Sequence, residues 1–183
     1  MPRPHAATRP HQVWAYDFVQ DKCNQGHALR FLTITDEFTR QSLAVVAATS
    51  IRSPDVINVL RRLFEEHGAP QYLRSDNGPE FVSKAVRTWL KEQGVQTVYI
   101  EPGCPWQNGF AESFHSRFRD ECLNREWFHN VREARVLVES FRRYYNQERP
   151  HSSLGYMTPL EFQAKWQKQQ KQQPLPAVNL ARF

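Results

Sequence analysis

Cysteine is scarce, and its placement excludes two kinds of framework. Cys23, Cys104 and Cys122 are odd in number, far apart and never form a Cys-x-x-Cys pair, whereas disulfide scaffolds and zinc ribbons need paired, closely spaced cysteines. His5, His11 and Cys23 lack the paired-cysteine spacing of a zinc module as well. No apolar run approaches the roughly 20 residues of a membrane-spanning helix. The opening Met1-Pro2-Arg3-Pro4-His5 has no apolar core of a secretory signal. No internal repeat is present either, and the expectation is a cytoplasmic protein in a reducing compartment.

The 183 residues suffice for one domain with a proper core. Lys and Arg number 24 against 19 Asp and Glu, a formal charge of +5, which suits a polyanionic partner such as nucleic acid but is shared by many proteins without one. Residues 1–12 are rich in Pro, Arg and His, and 167–183 begin as a Gln-, Lys- and Pro-rich run. Both read as poorly ordered ends around a folded part spanning 13–166.

Three apolar, β-branched and aromatic runs, Val13 to Val19, Leu29 to Thr35 and Ser42 to Thr49, read as consecutive antiparallel strands. Ser53-Pro54-Asp55 offers a helix start, and Val56, Leu60 and Leu63 follow at helical spacing before Gly68. A short strand from Tyr72 ends at Ser75-Asp76. Asn77-Gly78-Pro79 turns the chain into a helix carrying Phe81, Val82, Val86 and Leu90, and a strand runs from Val95 to Ile100. The expected fold class is α/β, a mixed sheet with helices packed on it.

Asp17 stands in a strand whose alternating faces are both apolar, so the strand should be central and the carboxylate must be hydrogen-bonded, paired or metal-bound. Asp76 closes a short strand and reads either as a helix cap or as a ligand at the sheet's carboxyl edge. A helix over Gln107 to Leu123 would place Asn108, Glu112, His115, Ser116 and Arg119 on one face, with Phe110, Phe114, Phe118 and Cys122 on the other. The polar face is a solvated surface or a working one. Three carboxylates make sense for phosphoryl transfer, in which two metal ions about 4 Å apart serve the attacking and leaving oxygens. Carboxylates are the ligands magnesium prefers.

Four segments carry a resemblance: Trp14-Ala15-Tyr16-Asp17-Phe18, Leu73-Arg74-Ser75-Asp76-Asn77-Gly78-Pro79-Glu80-Phe81, Pro105-Trp106-Gln107-Asn108-Gly109-Phe110-Ala111-Glu112-Ser113-Phe114, and Tyr145-Asn146-Gln147-Glu148-Arg149-Pro150-His151-Ser152-Ser153-Leu154-Gly155-Tyr156. In this order they resemble the integrase-core transposases of bacterial insertion sequences, in the family that is similar to retroviral integrase. Thirty-five residues, 77 to 111, lie between Asp76 and Glu112, which is the spacing of that family's Asp, Asp, 35, Glu signature.

The resemblance implies a ribonuclease-H-like five-stranded sheet, three antiparallel strands followed by two parallel ones, with helices on both faces. It implies Asp17, Asp76 and Glu112 as catalytic metal ligands for two Mg2+ or Mn2+ ions, and strand cleavage followed by 3′-hydroxyl strand transfer on double-stranded DNA. It also implies a homo-oligomer on DNA, association with the nucleoid, and Arg119 as a DNA contact alongside Asn108, His115 and Ser116. Similar relatives read Ser-Phe-Asn-Gly where this chain has Ser113-Phe114-His115-Ser116. Related proteins carry a helix-turn-helix region ahead of the core, so a truncated gene, a fragment or a partner subunit for end recognition is expected. A nuclease that only hydrolyses DNA and a non-catalytic DNA-binding or assembly module are the competing readings. The loop before the glutamate helix is expected over the site, with Trp106 stacking on a base or pinning the loop. The arginines near Ala134 to Tyr145 read as a solvated or a phosphate-binding strip. His151 to Ser153 reads as packing or loop capping.

Overall fold

Strand β1 (Val13–Lys22) is the centre of the molecule. It pairs antiparallel with β2 (Ala28–Asp36) and parallel with β4 (Tyr72–Ser75), while β3 (Ser42–Ala48) lies antiparallel beyond β2 and β5 (Gln96–Tyr99) parallel beyond β4. The order β3-β2-β1-β4-β5 is the mixed five-stranded sheet expected. A computed structural model describes residues 5–24, 26–76, 83–101 and 105–172, with the side chains of 105 and 106 left aside. The expected Asn77-Gly78-Pro79 turn, the start of the following helix at Phe81, the role of Trp106, Cys104 and the tail from 173 onward lie outside the described residues.

Period-two alternation sends β1 and β2 side chains to two separate cores. Trp14, Tyr16, Leu32 and Ile34 meet Val56, Leu60 and Leu63 of α1 (Ser53–His67) and Val86 and Leu90 of α2 (Lys84–Glu92). On the opposite face Val19, Leu29 and Phe31 meet Phe114 and Phe118 of α3 (Gly109–Phe118) and Val138 and Phe141 of α4 (Val131–Gln147). Coverage on both faces is why the strands read as nearly continuous apolar runs. Each large apolar side chain so enclosed stabilises the fold by roughly 1.5–3 kcal/mol.

Helix ends follow local chemistry with three departures from the sequence reading. Arg52 rather than Ser53 is the N-cap of α1, and Asp55 Oδ2 accepts the Arg52 amide at 2.8 Å. Ser53 instead donates its hydroxyl to Ser83 Oγ at 2.9 Å, tying α1 to the start of α2. The single helix expected over 107–123 is three pieces: a 3-10 turn (Pro105–Asn108), α3, and a π-helical turn (Arg119–Leu123) closed by the Asn124 amide on the Arg119 carbonyl. The wider turn leaves Cys122 and Leu123 buried, and Glu121 receives the Arg149 guanidinium at 2.7–2.9 Å. Helix α5 (Pro159–Gln172) opens on a reciprocal cap: Thr158 Oγ1 accepts the Glu161 amide and Glu161 Oε2 accepts the Thr158 amide. It carries the Gln- and Lys-rich run as helix through Gln172, beyond the boundary at 166 read from composition. Among the described residues no helix is long and apolar enough to cross a membrane.

Candidate active site

Asp17 projects from β1 on the α3 side, next to its cross-strand neighbour Thr33. Its Oδ1 accepts the Phe18 amide at 2.7 Å, and its Oδ2 accepts a long bond of 3.4 Å from Asn108 Nδ2 at the start of α3. Burial pushes its pKa up to about 6; the Phe18 amide opposes this, the negative charge of Asp76 adds to it, the Asn108 bond opposes and Glu112 adds again. The carboxylate thus sits in a dry niche with two further acids within electrostatic reach, a setting a cation would relieve.

Register explains how Asp76 arrives there. Ala15 of β1 is level with Arg74 of β4 in the parallel pair, so two residues onward Asp17 and Asp76 are at matching height on one face. Asp76 is exposed just past the end of β4, and Glu112 is exposed in the first turn of α3. Among the described residues no group of three His, Cys, Asp or Glu side chains is gathered tightly enough to hold a metal ion as they stand. Asp76 and Glu112 act on Asp17 through charge rather than contact. The donor set is all oxygen and fits a hard divalent cation.

His115 is not on the outer surface. Its Nε2 lies 2.8 Å from Thr33 Oγ1, and its Nδ1 lies 3.8 Å from Asp17 Oδ2. Burial, aided by the charge of Arg119, pushes its pKa down to about 4, so at neutral pH the ring is uncharged and the approach to Asp17 is no ion pair. Thr33 in turn donates to the Asp17 carbonyl at 3.2 Å. Asn108 and His115 therefore face inward against Asp17, whereas Ser116 and Arg119 face solvent.

Behind the acids lies a pair that sequence reasoning missed. Arg74, two residues before Asp76, is fully buried and its Nε donates to Glu37 Oε1 at 2.8 Å, with both side chains 0% exposed. Asp36, the neighbour of Glu37, organises the β2–β3 turn by accepting the Thr39 amide and hydroxyl. No periodic signal marks a pair 37 positions apart. The segment from Tyr145 to Tyr156 likewise acquires roles: Asn146 clasps both backbone groups of Ser42 at 2.8 Å, and Arg149 holds Glu121. Of the arginines along α4, Arg142 pairs with Glu139, and Arg135 donates to the Ala47 carbonyl.

A model described as integrase core domain matches residues 7–105, more than half of the chain, and a second with the same description matches 93–159. The chain belongs to the integrase core-domain family. Relatives that it matches are proteins of bacterial insertion elements. The uncharacterized 39.2 kDa protein of insertion element IS476 from Xanthomonas euvesicatoria is 40% identical over 93% of this chain and 49% of its own length. The uncharacterized 31.7 kDa protein of IS407 from Burkholderia multivorans is 41% identical over 85% of this chain and 56% of its own length. The putative transposase of IS150 from Escherichia coli K12 is 26% identical over 87% and 57%. This chain therefore spans about half the length of the relatives it matches.

Solved integrase cores share the fold. The catalytic core domain of HTLV-2 integrase, in complex with magnesium and in trimeric form, superposes with a TM-score of 0.70 at 16% identity, covering 86% of this chain and 99% of that one. The core of BIV integrase gives 0.65 at 18%, covering 88% and 99%. The ribonuclease-H-like architecture expected from the sequence is the one present.

Proposed function

We propose that this chain is the catalytic core of a DNA strand transferase that moves an insertion sequence, with Asp17, Asp76 and Glu112 as its catalytic acids. The observation that supports this reading is the β1–β4 register, which sets Asp17 and Asp76 level on one face, with the charges of Asp76 and Glu112 both bearing on the Asp17 carboxyl. Asp17, Asp76 and Glu112 would hold two Mg2+ or Mn2+ ions, with rotation of the exposed Asp76 and Glu112 side chains toward Asp17. Such ions supply stabilisation of the charge that gathers on the attacking and leaving oxygens.

In the cleavage step a water oxygen bonds to a phosphorus at the element end, the bond from phosphorus to the 3′ oxygen breaks, and a 3′ hydroxyl is released. In the joining step that hydroxyl bonds to a phosphorus of target DNA, and the target's own 3′ oxygen leaves with the proton. Phe18 and Asn108 orient the Asp17 carboxylate through their N–H groups, and His115 is held beside it by Thr33. Ser116 and Arg119, outward on the same helix, would contact phosphates. The core is taken as 13–166, flanked by residues 1–12 and by a tail 167–183 whose first residues continue α5 to Gln172. The partners are double-stranded DNA at both element end and target, further copies of the chain, and a helix-turn-helix partner for end recognition, in the cytoplasm at the nucleoid.

The test is incubation of the chain with a labelled duplex carrying its element's end and Mg2+ or Mn2+. The wild type should yield a nicked strand and a joined product, and Asp76→Asn should yield neither while its circular dichroism is unchanged. Equal activity in the two proteins rejects the assignment of the site, and nicking without joining reduces the function to hydrolysis.

A further inference from the structure

A second concavity adjoins the acids. It measures about 460 Å³ and lies between the end of β2, the first turns of α3 and the loop joining α4 to α5, with Thr35, Arg40, Phe110, Ser113, Tyr145 and His151 among its walls. Pockets for small organic groups fall in the range of roughly 300–1,000 Å³. Along α3, Gly109 and Ser113 line it while their neighbours Asn108 and Glu112 belong to the acid cluster. Along β2, Thr35 lies two residues beyond Thr33, which contacts His115.

Two polar atoms in these walls are buried and have no hydrogen-bond partner among the described residues, Thr35 Oγ1 and His151 Nε2. The residues are only 5% and 8% exposed. Buried polar groups in folded proteins are nearly always satisfied, so each such atom calls for an explanation. Burial, aided by the charge of Arg149, lowers the His151 pKa and favours the neutral ring, against a backbone hydrogen bond to Tyr145 that raises it. In a neutral ring protonated on the other nitrogen the unpartnered Nε2 accepts, while the Thr35 hydroxyl both donates and accepts. Tyr145 stands edge-on to His151 with ring centroids 4.6 Å apart, and Arg40 lies over the Phe110 ring at 3.3 Å.

These walls select a ligand class. An inorganic anion would meet the lone pair of His151 Nε2, and an aliphatic group would leave both orphan atoms unsatisfied. A planar, uncharged heteroaromatic ring bearing both donors and acceptors satisfies both and packs against the aromatic walls. We propose that the cavity receives one unstacked nucleobase of the DNA strand held at the acids, a base N–H bonding His151 Nε2 and the Arg40 guanidinium meeting the adjoining phosphate. This rests on the reading of the chain as a DNA strand transferase. Taking a base out of its stack costs a few kcal/mol, which contacts in a fitted pocket offset.

The experiment is a titration of the chain with deoxyadenosine 5′-monophosphate, thymidine 5′-monophosphate and deoxyribose 5-phosphate, followed by the 15N signals of the His151 ring. The nucleotides should move the Nε2 signal toward that of a hydrogen-bonded acceptor, and the sugar phosphate should leave it in place. His151→Phe and Thr35→Val should each weaken nucleotide binding roughly five- to tenfold, the worth of one hydrogen bond. Asp76→Asn should bind nucleotide as the wild type does, so loss of cleavage and loss of base binding are read separately. Sugar phosphate and nucleotides acting alike, or a His151 signal that none of them moves, overturns the proposal even where Asp76-dependent cleavage persists. The wild-type signal decides the matter without any variant having to fold.

Discussion

The two faces of the sheet are built on different terms. Toward α1 and α2 the contact is mainly apolar, from Trp14 and Tyr16 to Leu60, Leu90 and Val95. Toward α3 and α4 an apolar patch around Phe31, Phe114 and Phe118 gives way, along β1 toward its amino end, to buried polar chemistry: Asp17 with Thr33 and His115, and Arg74 with Glu37. One face is scaffold. The other spends part of its packing on groups whose burial is costly unless each is partnered, and the candidate acids and the cavity both lie on that side.

The sharpest way to break the contrast is at the Arg74–Glu37 pair. Arg74→Met leaves the Glu37 carboxylate buried without its cation and should lower unfolding free energy by about 3–5 kcal/mol, read by urea titration. The double change Arg74→Met with Glu37→Met should recover most of that loss. On the opposite face Leu60→Ala should cost about 2–5 kcal/mol through its cavity, yet leave cleavage per folded molecule at the wild-type level. Reduced turnover in that variant would mean the scaffold face reaches the chemistry.

Arg149→Ala should cost about 1–3 kcal/mol, and its pH dependence has a definite sign. Arg149 holds the Glu121 carboxyl below its ordinary range, so the bond stabilises the fold above the unfolded carboxyl value, near pH 4.3, and is lost as pH falls through the lower folded value. The gap between wild type and variant should therefore narrow in acid. Thr158→Ala, removing one half of the α5 cap, should have the smallest effect, about 1 kcal/mol.

Legibility in the sequence followed the same division. The strands and α1 were readable because burial on both sides leaves continuous apolar runs, and Gly68 at φ 79° marks the end of α1. Asp17 stood out as a carboxylate inside such a run, whereas Asp76 and Glu112 were singled out by resemblance, since cap and solvated face explain them as well locally. The helical wheel put His115 with Asn108 and Glu112, but it says nothing of which way that face points, and here Asn108 and His115 meet β1 and β2 while Glu112, Ser116 and Arg119 are exposed. The pairs Arg74–Glu37, Arg149–Glu121 and Asn146–Ser42 join residues 28 to 104 positions apart. Such contacts are set by tertiary packing and leave no periodic trace.

The measurement that bears most directly on the account is anomalous diffraction from crystals of the chain grown with Mn2+. The account predicts a manganese peak bridged by the carboxylates of Asp17 and Asp76, with Glu112 turned toward it. Manganese bound elsewhere, with the Asp17 carboxylate bonded only to Phe18 and Asn108, would contradict it.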